Sequence, residues 1–493
     1  MEKLILNICF FLDPSRKDKC NQFSNEILST LDYIINSKLF FIILILFIVI
    51  LTKLIFQKHN NKYNDFTLSI LISILFYLIL FNFNTNLPWV DDWEWIENLQ
   101  TKKIDTIIWL FQPTNIHNIF FVKLVFLINN NFFNLNFELF NYFSIFLIFI
   151  IILIFLKNEK IDNKIYLSLF VVLIFSGKQF ANFSQASNIA WTICFFYIIS
   201  FKYLFESKSA FSIACCSTVI LISPLTFGLG YVIPLFVLSF VYFFGLSSKV
   251  KIIYIITSLV GILVSYSLPK VFFSDLVGNT LDLNSLKVLL DFNFYSTFFG
   301  VLANVYLPWI EGFAYAGTLI GFLQMLIIFL IEFKKINKNV FLVITNFIKK
   351  NIFIILGLIF AFIVSITRSD TQTVVAARYS VGSIIFQIGF WIYFYNEIQN
   401  YYTKNLNLIK LVSLYVFLSG LLFPYHGIHW QAKRHILNNT VLDCFKKNIK
   451  NETLICNKLA YDTLFYGGNW YDYDVFSNQI RILKNENKSF LNF

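Results

Sequence analysis

The chain has 493 residues, 57% hydrophobic, 19% aromatic and only 14% charged, with 39 Lys and Arg against 28 Asp and Glu for a net charge of +11. Soluble domains carry about 25% charge, so the composition excludes a string of soluble domains, and its dense apolar content excludes intrinsic disorder. An all-α polytopic membrane protein remains, in which a basic excess marks lysine retained in cytoplasmic loops, with no nucleic acid implied.

A membrane-spanning helix needs about 20 mostly apolar residues. In chain order such segments fall at 39–56, 66–85, 136–156, 165–177, 187–205, 210–223, 230–246, 252–268, 313–333, 351–367, 380–396 and 409–424. Lysines set their orientation. Lys53, Lys58 and Lys62 share one connection, Lys157, Lys160 and Lys164 a second, and Lys249 and Lys251 a third. Lys334, Lys335, Lys338, Lys349 and Lys350 share a fourth, and Lys404 and Lys410 a fifth. All five fall on one side, the cytoplasmic side by the positive-inside rule. The expectation is about 11–12 transmembrane helices. Residues 1–60 form an N-terminal extension in which 39–56 is either an added span or an incomplete crossing. Residues 61–424 form the transmembrane domain and 425–493 a small extracytoplasmic tail. The outer side receives 86–135, 178–187, 223–230, 269–312 and 368–380. No small-residue cleavage site follows the short apolar run before Asp13, and no internal repeat is evident.

The first outer loop, 86–135, opens with Pro88-Trp89-Val90-Asp91-Asp92-Trp93-Glu94-Trp95-Ile96-Glu97. Carboxylates at a helix end can serve as base and as metal ligand for a lipid-bound substrate, and Trp at that depth anchors a loop among headgroups. The run equally fits a solvated acidic loop with an aromatic belt. Asn115 and His117 follow, ahead of an apolar stretch, 116–128, interrupted by Lys123. That stretch reads as an amphipathic helix on the membrane surface. Outer turns at 178–185, with Gln179 and Asn182, and at 223–230 bring polar groups to membrane depth, where Gly and Pro let backbone line a cavity. Each also fits an ordinary tight turn.

Only five residues are Arg, and two of them, Arg368 and Arg378, fall in one outer connection. Where Lys is otherwise preferred, Arg marks planar bidentate geometry, as for phosphate; snorkelling or an Arg368–Asp370 pair is the other reading. Cys194, Cys215 and Cys216 sit in apolar runs as small hydrophobes. Cys444 and Cys456 can pair if the tail is extracytoplasmic. His426, His429 and His435 complete no recognised zinc set.

These pieces together resemble the C-type (GT-C) membrane glycosyltransferases, in particular bacterial members. The resemblance lies in Asp91-Asp92-Trp93 after a membrane helix, Asn115-Ile116-His117-Asn118 with Lys123, the Gln179 to Asn182 turn, the Ser223 to Leu229 turn, Arg378-Tyr379 at the start of a late helix, and Arg481 to Phe490 in the tail. It spans residues 66–493, with Ile116 and Asn118 departing from the Glu and Arg of the pattern. It implies inverting transfer of a sugar from a polyprenyl-phosphate carrier to a glycan, lipid or protein acceptor, on the outer face of the bacterial inner membrane. Asp91 would be the general base, and Asp92 or Glu94 would orient the acceptor or bind a divalent cation (Mg or Mn) if one is used. Arg378, with Arg368 or Lys123, would neutralise the lipid phosphate. Asn115, His117, Gln179, Asn182 and Tyr379 would complete the substrate site. A flippase or transporter usually carries ionisable residues within its spans, and these spans are nearly free of charge. A polymerase or ligase for lipid-linked saccharides shares the topology, although an acidic pair in the first loop is less expected there.

Overall fold

Ile and Phe favour strands in water, yet the apolar runs of this chain are helical, as membrane segments must be when backbone groups find no water to bond. The computed structural model describes residues 88, 90–101, 105–114, 119–159, 169–170, 173–174, 176–179, 182, 186–272, 288–307, 311–335, 339–402, 435–444, 454–464 and 472–485. Among the described residues there is no β-strand.

Three short helices come first: α1 (Val90–Ile96), α2 (Thr106–Phe111) and α3 (Phe120–Phe132). The bundle follows with α4 (Glu138–Asn158), α5 (Ile189–Leu204), α6 (Ala210–Ile222), α7 (Val232–Phe240), α8 (Ser248–Phe272), α9 (Phe292–Leu302) and α10 (Ala314–Phe333). Then come α11 (Val340–Lys350), α12 (Ile352–Thr367), α13 (Thr371–Val375) and α14 (Ser380–Tyr402). The tail holds helical residues 435–444, α15 (Leu454–Leu464) and α16 (Tyr473–Asn485).

Among the described residues three helices, α4, α8 and α10, are long and apolar enough to cross a membrane; a fourth crossing is added if the pair α11 and α12, bent by 92°, counts as one. On α8 and α10 Ile256 (53%), Leu263 (60%), Leu319 (59%) and Phe329 (59%) are exposed. Each such side chain left in water forgoes about 1.5–3 kcal/mol, a deficit that lipid removes. The described residues are thus all helical, with three candidate membrane-spanning helices, consistent with a helical membrane protein. The expected segments 187–205, 210–223 and 230–246 appear as the shorter α5, α6 and α7, with 3-10 turns at Ser223–Leu225 and Val241–Phe243 continuing α6 and α7. α5 lies inside the bundle with nearly every side chain buried, so neighbours rather than lipid cover it. Segments 39–56, 66–85 and 409–424 lie outside the described residues, as does most of 165–177.

The connections sort into two sets by contact. At one end, Lys202 on α5 pairs with Glu159 beyond α4 at 3.0 Å, and Lys335 beyond α10 pairs with Glu332 and with Glu397 of α14, both at 2.7 Å. Phe243 and Phe341 join the neighbouring turns there, 5.9 Å between rings. At the other end gather residues 90–101, 105–114, 176–179, 182, 186–188, 223–231, 303–307 and 368–379, described below. Among the described residues, the chain ends following α4, α5, α7 and α10 thus lie together, and Lys202 also reaches the Phe353 ring at the start of α12 at 5.7 Å.

One expectation is corrected. Residues 269–312, read as an outer stretch, contain α9, which packs against α10, α12 and α14. Its last carbonyl, Leu302 O, accepts from Ser383 Oγ (2.9 Å) and Gln387 Nε2 (2.8 Å), about one and two turns inside α14. Gln387 also bonds Gln324 of α10 and Tyr306. An element of 11 residues is too short to span, and its buried end is satisfied by side chains of a neighbouring helix.

Candidate functional site

The first loop is built around its tryptophans. Trp93 and Trp95 are completely buried. Positions two apart on a helix point to nearly opposite sides, so α1 is held between two partners. Trp95 donates from Nε1 to Thr114 Oγ1 at 3.1 Å and meets Trp109 and Phe126 edge-on at 6.1 and 5.2 Å. Trp93 packs on Phe476 of α16 at 4.8 Å. These rings are therefore core, correcting the expectation of headgroup anchors, and they tie the C-terminal tail to the acidic segment.

Asp92 is fully buried, and its carboxylate accepts from the N–H groups of Ser187 (3.1 Å) and Ala186 (3.4 Å) in the turn ahead of α5. An anion there also suits the positive end of α5. Asp91 lies in the first turn of α1, and its side chain lies outside the described residues. Asn115 and His117 lie outside them too, between Thr114 and Ile119, which are described.

Lys123 also differs from the expectation. It does not interrupt the outward face of α3, where Leu124, Ile128 and Phe132 are exposed. It lies instead on the inward face beside Val122 and Phe126. Its ammonium donates to Trp109 O (2.8 Å) and Gln112 O (2.6 Å), closing the C-terminal end of α2, and sits 4.8 Å from the Trp109 ring centroid. Burial pushes its pKa down to about 7 against the opposing pull of half-buried Glu94. Lys123 thus binds the loop together and does not line the cleft described below.

Gln179 and Asn182 are buried and support rather than line the cleft. Gln179 Nε2 donates to Ile174 O at 2.8 Å, and Asn182 Nδ2 reaches Arg378 O at 3.5 Å. Just before Gln179, sequence reasoning passed over Lys178 as a site residue. Burial pushes this lysine well below its usual range, and it donates to Leu307 O (2.6 Å) and Val375 O (2.5 Å). A lysine in a turn otherwise free of charge was the available signal.

These supports frame a small open cleft with about 160 Å³ of room. Its wall combines Ser187 and Asn188 at the start of α5, Trp191, the 227–229 turn, one stripe of α12, and Arg368, Arg378 and Tyr379. Gly230 allows the 223–230 turn to close so tightly, since a Cβ there would lie 1.8 Å from Ser223 O. Phe360, Ile363, Val364 and Thr367 follow the helical spacing of one face, and Arg368 ends that run. Trp191 meets Phe227 at 4.6 Å and Tyr379 at 5.5 Å. Arg378 lies 5.3 Å from the Tyr379 ring. Asp370 does not pair with Arg368: it caps α13 by accepting from Thr373 N at 2.6 Å. Among the described residues neither Arg368 nor Arg378 has an ion-pair partner, so both exposed guanidiniums are available to an anion.

Among the described residues no three His, Cys, Asp or Glu side chains gather into a metal-binding group. Compared with known proteins, the chain matches no family model, no curated protein and no solved structure.

Proposed function

We propose that the chain is a membrane glycosyltransferase that moves a sugar from a polyprenyl-phosphate carrier to a glycan, lipid or protein acceptor on the extracytoplasmic face. The observation that carries this reading is the cleft stripe, which runs from Phe360 through Ile363 and Val364 to Arg368, with Arg378 also lining the cleft. An apolar track ending in two available guanidiniums matches a ligand with an apolar chain and an anionic head. Arg offers phosphate a bidentate fork, and in a site partly shut from water that charge complementarity strengthens.

In this reading Asp91 takes the proton from the acceptor hydroxyl as its oxygen attacks the anomeric carbon. The bond from that carbon to the phosphate oxygen breaks, and the phosphate leaves with the electron pair, stabilised by Arg368 and Arg378. Asp92 acts by fixing the turn at 186–188, whose Ser187 and Asn188 line the cleft. The Cys444–Cys456 disulfide supports an extracytoplasmic tail, since such bonds persist in oxidising compartments.

The test is Asp91→Asn in cells, with membrane level verified and surface glycan analysed. The reading predicts lost glycan and lipid-linked donor accumulating on the outer face. Normal glycan from folded Asp91→Asn would refute the base role, and donor retained on the inner face would identify a flippase instead.

A further inference from the structure

The link from α13 to α14 carries Arg378, and its backbone is held from outside. Ala376 is extended (φ −62°, ψ 131°), so the helical ladder breaks there and carbonyls nearby need other donors. Asn304 Nδ2 donates to Val374 O (2.5 Å) and Ala376 O (3.1 Å). Lys178 Nζ donates to Val375 O (2.5 Å) and, beyond the link, to Leu307 O (2.6 Å). Three successive carbonyls are thus gripped by two side chains that are almost completely buried, and among the described residues no carboxylate pairs with Lys178. An apolar side chain would fill the same space but leave these buried carbonyls without donors, whereas the Lys178 amine brings donors to carbonyls of two segments at one point.

We propose that Lys178 and Asn304 are positioning residues for Arg378. By fixing 374–376 they set the 377–379 turn, which presents the guanidinium beside the Tyr379 ring and into the cleft. The inference rests on reading the cleft as a lipid-phosphate site and adds the residues on which its geometry depends.

The test titrates the full-length protein in detergent with farnesyl phosphate, and with farnesol as the uncharged control. Lys178→Met and Arg378→Gln are each expected to weaken farnesyl phosphate at least 10-fold, and the double variant to bind no worse than Arg378→Gln alone, the non-additivity of residues acting through one another. Additive losses, which a general structural defect would give, or unchanged affinity in Lys178→Met, would overturn the proposal. Asn304→Ser runs the same cycle should Lys178→Met not fold. Hydrogen exchange over 376–380 without ligand reads the clamp separately: faster exchange is expected in both clamp variants, with 200–204 unchanged, and equal exchange would overturn it. If the native protein binds farnesyl phosphate no better than farnesol while exchange responds as expected, the phosphate reading fails and the clamp stands.

Discussion

Asp91 and Asp92 are neighbours in sequence with opposite expected roles, and a single substitution in each separates them. Asp92→Asn keeps the shape but replaces a carboxylate that accepts from Ser187 N and Ala186 N, at 3.1 and 3.4 Å, with an amide that offers one acceptor. Hydrogen bonds to a charged group contribute about 1.5–3 kcal/mol, and the longer contact counts for less. A loss of about 2–3 kcal/mol corresponds to roughly 30- to 150-fold easier opening of the turn. Hydrogen–deuterium exchange of the Ala186 and Ser187 amides reads this directly. The same amides are expected to exchange normally in Asp91→Asn, which instead loses sugar transfer. Equal exchange in Asp92→Asn and native protein would refute the anchoring role.

Lys123 gives a pH signature. Its folded pKa of about 7 lies below that of an unfolded lysine, so the penalty for burying its charge is complete below pH 7 and is relieved as pH rises towards 10.5. Resistance of the first loop to limited proteolysis should rise across that window in native protein and stay flat in Lys123→Met; parallel profiles would count against the assignment. Gly382 on α14 has no room for a methyl group, since its Cβ would fall 1.8 Å from the Phe360 ring. Gly382→Ala should therefore push Phe360 into the cleft and weaken farnesyl phosphate and farnesol alike, with overpacking costing about 1–3 kcal/mol; unaltered binding of both would place Phe360 outside the lipid track. Opening the disulfide of 12-residue separation, Cys444–Cys456, should destabilise the tail by about 3 kcal/mol on the chain-entropy account. Cys444→Ser is then expected to show faster cleavage within 454–485, and unchanged cleavage would mean that Trp93–Phe476 packing alone holds the tail.

Helix positions were legible because apolar runs in this chain have few competing signals: 136–156, 313–333 and 351–367 coincide closely with α4, α10 and α12. α9 was missed because its 11 residues are too short for a span, and their burial depends on Gln387 and Ser383 from a distant helix. The fates of individual charges were less legible still. Lys123 and Arg378 look alike as isolated cations near apolar residues, yet one closes a helix end inside the loop and the other faces the cleft. That distinction depends on which carbonyls lie nearby in space, as does the role of Lys178, whose partners are 129 and 197 residues away. The pair Arg368 and Arg378 stood out in sequence because arginine is scarce, and both do line one cleft.

The measurement that addresses the central claim most directly compares farnesyl phosphate with farnesol on native protein and on Arg368→Gln/Arg378→Gln. Two charge-assisted contacts at about 1.5–3 kcal/mol each predict that native protein prefers the phosphate by at least 100-fold, and that the double variant binds both molecules with the affinity of farnesol. Equal binding of the two by native protein, or a phosphate preference surviving in the double variant, would contradict the account.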